Sequence, residues 1–270
     1  MITNIKQIKI SQSEFELFKN YVYDNIGIAL SDQKITLLRT RLNKRLNLLG
    51  FDTFTQYYNC LLTNEVERHK FISAISTNVT YFFREQNHWD FLLNNINKIF
   101  TNNKIRIWSS ACSTGEEPYS IAMFLHQYLE NYNHFDIKIL ATDISKTAIQ
   151  TAKDGLYSKE QVMDLKKHHI DTHFTKIDNK YKIDTKIQEL IMFRIFNLVY
   201  GDYNLFKTTK LDVIFCRNVL IYFDEDTKNK VANNLAQQLK SGGYLFIGHS
   251  ESLTNSKYLS YVAPSIYQRK

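Results

Sequence analysis

Cysteine, proline and glycine are all scarce in this 270-residue sequence, which contains three, two and eight of them respectively. The cysteines, Cys60, Cys112 and Cys216, lie far apart and are odd in number, which excludes a disulfide framework and a C-x-x-C metal or redox motif. The sequence also lacks an apolar run long enough to span a bilayer, and it has no signal-peptide core. These absences predict a soluble, cytoplasmic protein with reduced thiols.

Internal repeats and low-complexity linkers are also missing, and the pattern of apolar residues changes once along the chain. Residues 11–75 have helical periodicity, which predicts a small bundle in which Ser13 caps the first helix and Gly27 ends it. From residue 104 onward, strands alternate with helices. This alternation predicts an α/β fold with a doubly wound, mostly parallel, Rossmann-like sheet.

The predicted domain organisation follows from this change of pattern. It comprises an N-terminal helical domain (1–76), an inter-domain linker and helix (77–103) and the α/β domain (104–270). Residues 156–193 are polar and interrupt the alternation, which predicts an inserted β-subdomain with a hairpin turn at Asp178–Asn179. Near the C-terminus, a helix is expected to stop at Gly242 and Gly243, and "YVAPSIYQ" is expected to form an edge strand.

The formal net charge of +7 suits an acidic partner, although solubility explains such a charge equally well. Within residues 34–51 the positive charges are not scattered. If this segment is a helix, several of them lie beside an apolar face. We call Lys34, Arg41, Lys44 and Arg45 the basic stripe, and we predict that it faces an acidic partner.

The turn after the first predicted strand, "SSACSTGEEPYS", looks like a nucleotide-binding turn but lacks the G-x-G-x-x-G pattern. Its acidic residues, Glu116 and Glu117, disfavour a diphosphate and suit a cation. The second predicted strand ends at Asp143, which could accept hydrogen bonds from ribose hydroxyls or could simply cap the next helix. S-adenosyl-L-methionine fits both features, because it has a ribose, a sulfonium and an ammonium group.

Five motifs then carry a family resemblance. They are "TNVTYFFRE" (77–85), "ACSTGEEPYSIA" (111–122), "ATDIS" (141–145), "CRNVLIYF" (216–223) and "GGYLFIGHSESL" (242–253). Together they closely resemble the CheR-type chemotaxis receptor methyltransferases, which are protein-glutamate O-methyltransferases. The resemblance covers roughly residues 11–270. It implies a helical substrate-recognition domain and an S-adenosylmethionine-binding α/β domain with a small inserted β-subdomain. The implied activity is chemoreceptor methylation for sensory adaptation, with S-adenosyl-L-homocysteine as the second product.

The resemblance also implies which residues form the site. Those expected to bind the cofactor are Asn78, Thr80, Arg84, Glu117, Asp143, Asn197, Leu198, Arg217 and Asn218. The basic stripe, Lys34, Arg41, Lys44 and Arg45, is expected to bind the acidic methylation-helix region of chemoreceptors. No metal, nucleic acid or membrane insertion is expected, and the chain is expected to act as a monomer.

A glutamate substrate is already ionised at neutral pH, so the predicted reaction needs no general base. Arg84 is expected to hold one carboxylate oxygen while the other attacks the methyl group. Tyr222 is expected to donate a hydrogen bond at the mouth of the site. Arg84 and Tyr222 are therefore the predicted catalytic residues.

Several alternatives remain open from the sequence. Asn78 and Thr80 could cap a helix near Tyr81, and Asn197 could satisfy a turn. The substrate could be RNA or a small molecule, although the [DN]-P-P-[YFW] loop common in enzymes that methylate amino nitrogens is missing. A cofactor-sensing module without turnover is a further reading. Some family members dock a receptor C-terminal pentapeptide on a glycine-bearing hairpin, but the inserted segment has no such glycine, so pentapeptide binding is not predicted.

Overall fold

The computed structural model describes residues 6–206, 209–254 and 256–270, and it begins with a bundle of helices. These helices are α1 (Gln12–Ile26), α2 (Ile35–Leu49), α3 (Phe54–Thr63) and α4 (Glu65–Ile75). Ser11, rather than the predicted Ser13, caps α1, because Glu14 lies three residues after it and completes a capping box. Gly27 ends α1 as predicted, with a φ of 73° that favours glycine.

Phe18 lies in the apolar core of the bundle. Its ring centroid is 6.0 Å from that of Phe54 and 5.8 Å from that of Phe71, so α1, α3 and α4 meet there. Leu42 and Leu46 of α2 are fully buried in the same core. Because one face of α2 is buried in this way, most of its polar residues lie on the remaining faces; the buried Asn43 is an exception, and its side chain bonds to the Ile8 backbone.

The rest of the chain forms two sheets and the helices around them. The strands are β1 (Lys104–Ser109), β2 (Asp136–Asp143), β3 (Leu156–Ser158), β4 (Phe174–Ile177), β5 (Lys180–Ile183), β6 (Ile191–Ile195), β7 (Leu211–Cys216), β8 (Leu239–Ile247), β9 (Leu259–Ala263) and β10 (Ile266–Arg269). The helices are α5 (Gln86–Ile99), α6 (Glu116–Tyr128), α7 (Lys146–Asp154), α8 (Lys159–Val162), α9 (Lys167–His173), α10 (Thr185–Gln188) and α11 (Glu225–Gln238).

The larger sheet has the strand order β6-β2-β1-β7-β8-β10-β9. Its first five strands pair in parallel, whereas β10 pairs antiparallel with both β8 and β9. Side chains alternate between the faces, so Ile107 and Phe215 pack in one apolar layer while Trp108 and Ile214 pack in the other. The predicted doubly wound, mostly parallel fold is confirmed. The strand order reverses between β1 and β7, which is where such folds bind ligands.

The inserted segment folds into a small antiparallel sheet with the order β3-β5-β4. The predicted hairpin is confirmed, since β4 and β5 are joined at Asp178–Asn179 and Asp178 has a φ of 52°. Tyr157 of β3 is fully buried, and its hydroxyl donates to the Thr114 carbonyl at 2.8 Å. This contact anchors the small sheet to the turn after β1.

Two predictions near the C-terminus are wrong. The last helix ends at Gln238, and β8 already begins at Leu239 and includes both glycines. The β7–β8 register is irregular there, and a side chain on Gly243 would lie 3.0 Å from the Asp212 carbonyl, which is a tight contact that glycine avoids. The predicted edge strand is in fact the hairpin β9–β10, of which only β9 lies at the edge.

Among the described residues, no helix is both long enough and apolar enough to cross a membrane.

Candidate active site

A cavity of 660 Å³ lies at the carboxyl ends of β1, β2 and β7, at the point where the strand order reverses. This volume falls in the usual range for small-molecule sites. Distant segments line it, including the linker after α4, the turn after β1 and the loops after β6 and β7. The helical bundle contributes Ile28, Leu30, Lys34 and Leu37, so both the bundle and the α/β domain build the cavity.

Every residue predicted to bind the cofactor lines this cavity. These residues are Asn78, Thr80, Arg84, Glu117, Asp143, Asn197, Leu198, Arg217 and Asn218. Tyr222, the second predicted catalytic residue, lines it as well. The fold therefore gathers the whole predicted set at one place, while the contact of each residue with a cofactor stays a prediction.

The two glutamates in the turn after β1 have different surroundings. Glu116 is buried, and its carboxylate accepts hydrogen bonds from the Thr114 hydroxyl at 2.6 Å and the Gln161 amide at 3.1 Å. Glu117 lines the cavity instead. Gly115 between strand and helix has a φ of 101°, and a side chain there would lie 2.8 Å from Cβ of Ala152. The single glycine thus allows α6 to begin close against α7.

Asp143 lies at the end of β2, 9% exposed, and its carboxylate is held by backbone groups. Its Oδ2 accepts from the Ser113 N–H at 2.9 Å and its Oδ1 from the Ser145 N–H at 2.8 Å. Burial raises the pKa of Asp143, although both N–H groups act in the opposite direction. An ionised carboxylate has about four acceptor positions. Asp143 can therefore accept further hydrogen bonds from hydroxyl groups in the cavity.

A buried network of charges lies beside Glu117. The Arg217 guanidinium, 2% exposed, contacts Oε2 of Glu117 at 3.3 Å and Oε2 of Glu85 at 3.2 Å. Glu117 also accepts from the Ser109 hydroxyl at 2.6 Å. Burial raises the pKa of Glu117, and the Arg217 charge only partly offsets this. The network holds two carboxylates and one guanidinium, so its sum is negative when all three groups are ionised.

Glu85 was missed by the sequence analysis, although it lies within the "TNVTYFFRE" motif. It follows Arg84 directly and has a φ of 62°, which is uncommon for a residue with a side chain. Its side chain is 7% exposed and does not line the cavity. The only sequence signal was a charged residue immediately before the first apolar turn of α5, and such residues are usually exposed.

The linker between the domains presents Asn78, Thr80 and Arg84 to the cavity without helical structure. The alternative that Asn78 and Thr80 cap a helix near Tyr81 is wrong, because α5 begins at Gln86. The Arg84 guanidinium donates to the Val79 carbonyl at 2.9 Å and lies 5.5 Å from the centroid of the Tyr81 ring. Among the described contacts of Arg84, neither of these partners is a carboxylate.

Asn197 and Asn218 use their side chains inside the protein. Oδ1 of Asn197 accepts from the Val199 N–H at 3.0 Å, and its Nδ2 donates to the Asn25 carbonyl at 2.8 Å. Nδ2 of Asn218 donates to Glu85 at 3.2 Å. Asn197 thus satisfies a turn and joins the α/β domain to α1.

Only some residues of the basic stripe are exposed at the protein surface. Lys34 and Arg41 line the cavity and Lys44 is exposed, but the guanidinium of Arg45 is paired with the buried Glu67, at 2.8 Å from Nε to Oε1 and 2.5 Å from Nη2 to Oε2. The prediction that Arg45 faces a partner is therefore wrong, because its charge is neutralised inside the bundle.

Arg41 also has internal contacts, although it lines the cavity. Its Nη1 donates to the Ile75 and Ser76 carbonyls, and its Nη2 donates to the Thr77 hydroxyl at 3.0 Å. Arg41 therefore fixes the start of the linker that carries Asn78 and Thr80. Whether it also contacts a substrate stays a prediction.

Among the described residues, Glu85, His88 and His249 are the three whose possible metal-ligand atoms come within 4.8 Å of one another. Glu85, however, already accepts from Arg217 on Oε2 and from the Asn218 amide and the His249 N–H on Oε1. Burial, with the nearby Arg217 charge, lowers the pKa of His88 to about 3. Because Glu85 already accepts these hydrogen bonds and the Arg217 guanidinium lies beside it, the group is a poor cation site.

Comparison with known proteins agrees with this geometry. The family model "CheR methyltransferase, all-alpha domain" matches residues 13–76, and "CheR methyltransferase, SAM binding domain" matches residues 78–267. A chemotaxis protein methyltransferase from Borreliella burgdorferi is 41% identical over 97% of this chain and 96% of its own length. Chemotaxis protein methyltransferase 2 from Pseudomonas aeruginosa is 33% identical over 94% and 91%. The corresponding protein of Escherichia coli is 32% identical over 93% and 88%. The chain therefore belongs to the CheR methyltransferase family.

Proposed function

We propose that this chain transfers the methyl group of S-adenosyl-L-methionine to glutamate side chains of chemoreceptors. The products are glutamyl methyl esters and S-adenosyl-L-homocysteine, and the setting is sensory adaptation in the cytoplasm. The observation that carries the proposal is the single cavity in which the strand-end carboxylates, Arg84 and the helical bundle meet. The family membership and the names of the relatives, which are chemotaxis methyltransferases, support the same reaction.

The residues of the cavity fit the groups of the cofactor. We propose that Asp143 accepts hydrogen bonds from ribose hydroxyls, because its backbone contacts leave acceptor positions free. Glu117 is placed to face a cation, since Arg217 shares its charge with Glu85. When bound, S-adenosyl-L-methionine supplies an electrophilic methyl group on its sulfonium. The acidic turn after β1 suits such a ligand better than it suits a diphosphate.

The substrate carboxylate needs orientation and not deprotonation, because a glutamate is ionised at neutral pH. Arg84 lines the cavity and has donors left after its contact with the Val79 carbonyl. We propose that one substrate oxygen is held by this guanidinium, which leaves the other free to attack. Tyr222 lines the same cavity, and its carbonyl accepts from the Ala29 N–H at 2.9 Å, so the loop that carries it is fixed against the bundle.

The rim of the cavity suits a helical substrate with acidic residues. Exposed apolar side chains line it together with basic ones: Leu37, Val79, Tyr81 and Ile221 are 41%, 71%, 51% and 50% exposed. Lys34 supplies an exposed positive charge among them. This mixture matches an amphipathic helix that carries glutamates. We propose the methylation helices of chemoreceptors as the partner, with no nucleic acid, no metal ion and no membrane insertion. We also propose that the chain acts as a monomer.

The test is a transfer assay with S-adenosyl-L-methionine labelled on its methyl group and cytoplasmic receptor fragments as acceptors. We expect label on the receptor that is released as methanol by mild base, which distinguishes an ester from an N-methyl group. Receptor fragments whose acceptor glutamates are changed to glutamine are the matched control and should take up no label. Label on added RNA, or label on the receptor that resists base, would favour another substrate class.

A further inference from the structure

We propose that Glu85 is a positioning residue that keeps the Glu117 end of the cofactor cavity negatively charged by engaging Arg217. This inference rests on the proposed cofactor but not on the proposed receptor substrate. Glu85 does not line the cavity, so it acts through Arg217 and Glu117 and not by touching the ligand.

The carboxylate of Glu85 is the centre of a set of buried contacts. Its Oε2 accepts from Nε of Arg217 at 3.2 Å, and its Oε1 accepts from the Asn218 amide and the His249 N–H, both at 3.2 Å. These partners come from the loops after β7 and β8, more than 130 residues away in the sequence. Glu85 thus joins the linker to two strand ends, and each of its oxygens has at least one donor.

The backbone at Glu85 indicates that this orientation is required. Its φ of 62° and ψ of 77° lie in the left-handed region, which side chains other than those of Asn and Asp seldom adopt. Strained residues of this kind persist where the surrounding contacts over-determine them, and they cluster at functional sites. Here the left-handed backbone conformation directs the Glu85 carboxylate toward Arg217 and away from solvent.

The charges explain what this orientation achieves. Glu85, Arg217 and Glu117 have side chains that are 7%, 2% and 11% exposed, so solvent screens their interactions poorly. One guanidinium is shared by two carboxylates, which leaves one negative charge in excess beside the cavity. An ammonium or sulfonium group of the ligand compensates that excess. If Glu85 carried no charge, Arg217 would neutralise Glu117, and this end of the cavity would attract a cation less strongly.

A second contact extends the effect to the predicted catalytic residue. Nη2 of Arg217 donates to the carbonyl of Arg84, and the Trp89 indole donates to the same oxygen at 3.1 Å. Because Glu85 fixes Arg217, it also fixes the backbone from which the Arg84 side chain projects. The carboxylate therefore sets both the charge and the framework of this end of the cavity.

The experiment compares two ligands that share a nucleoside but differ in charged groups. S-adenosylhomocysteine carries an ammonium group, whereas 5′-methylthioadenosine lacks the amino-acid part. We expect Glu85→Gln to weaken S-adenosylhomocysteine binding about tenfold, as loss of one poorly screened charge implies, and to leave methylthioadenosine affinity within about twofold. Isothermal titration calorimetry on the full chain measures both affinities.

Glu67→Gln is the matched control, because Glu67 is also a buried carboxylate paired with an arginine but lies away from the cavity. It should change neither affinity. Equal loss of both ligands in Glu85→Gln, or no loss of either, would overturn the proposal.

If Glu85→Gln does not fold, Glu85→Asp keeps the charge and should keep the preference for S-adenosylhomocysteine. Loss of that preference in Glu85→Asp would overturn the proposal as well. Failure of the wild-type chain to bind either ligand would instead contradict the proposed function.

Discussion

Two buried arginine–carboxylate groups occur in different parts of this molecule, and they differ in how their charges balance. In the helical bundle, Arg45 binds Glu67 through two hydrogen bonds, and the Tyr57 hydroxyl donates to the same carboxylate at 3.0 Å. That group contains one positive and one negative charge. Beside the cavity, Arg217 faces both Glu85 and Glu117, so the negative charges exceed the positive one.

The difference shows how the same residue types serve structure in one place and ligand binding in another. The group in the bundle is neutral and lies away from the cavity, so it can only stabilise or specify the packing of α2 against α4. The group beside the cavity leaves Glu117 incompletely compensated: burial raises the pKa of this carboxyl, and the Arg217 charge only partly offsets that effect. A cationic ligand would supply the missing positive charge beside Glu117. The contrast between the bundle and the cavity is tested by one variant in the bundle, two in the cavity and one double variant in the basic stripe.

The largest expected effect is on the neutral pair. Glu67→Ala should lower the free energy of unfolding by about 3–5 kcal/mol, because it leaves a largely buried guanidinium without its partner. Denaturant unfolding followed by circular dichroism measures this change. Asp52→Ala, which removes the partner of Lys6 in an exposed pair, is the control and should leave the midpoint unchanged. A stable Glu67→Ala protein would show that the pair contributes little to the bundle.

The next effect concerns Arg84, which lines the cavity and is predicted to hold the substrate carboxylate. If Arg84 holds the substrate carboxylate as proposed, Arg84→Ala should reduce methyl transfer at saturating S-adenosylmethionine about 100-fold, since a donor to that carboxylate is lost. Arg84→Lys keeps the charge but loses the planar fork, so it should recover only part of the rate. Turnover close to wild type in Arg84→Ala would assign Arg84 to binding or structure alone.

Asp143 should show a smaller effect, confined to binding. Asp143→Ala removes an acceptor for ribose hydroxyls and should weaken S-adenosylhomocysteine binding by roughly 1–3 kcal/mol. Here 5′-methylthioadenosine should lose as much affinity, because both ligands carry the ribose. Calorimetry therefore tests separately whether Asp143 binds the nucleoside and whether Glu85 acts on the cationic group. Unchanged affinity for both ligands would remove Asp143 from the site.

The smallest effect is expected at the exposed part of the basic stripe. Reversing Lys34 and Lys44 to glutamate should slow receptor methylation severalfold at low salt, because complementary charge mainly raises the rate of encounter. The difference should fade as salt rises, since the Debye length is about 8 Å at physiological ionic strength. Reversing Lys98 and Lys104 to glutamate is the control of equal charge change, because both lysines are exposed and neither lines the cavity. Wild-type rates in the double variant at low salt would leave the stripe without a role in docking.

Arg41 and Arg45 are unsuitable for that test, although the sequence analysis assigned them to the same surface. Periodicity correctly placed both of them beside the apolar face of α2, but it could not show what covers them. Glu67 lies 22 residues from Arg45, and the Ile75 carbonyl lies 34 residues from Arg41. Charge reversal at either position would disturb the bundle or the linker, so a loss of methylation would not report on docking.

The sequence by itself determined the local elements, the doubly wound sheet and the family, because these depend on periodicity, on turn residues and on short motifs. It also marked Asp143 and Glu117, since parallel strands bring their carboxyl ends to one edge of a sheet. Only the tertiary structure decided which charges pair. Glu85 meets Arg217 across 132 residues, and Arg45 turns inward to Glu67. Electrostatic energy depends on distance in space and on burial, and neither quantity can be read from the order of residues along the chain.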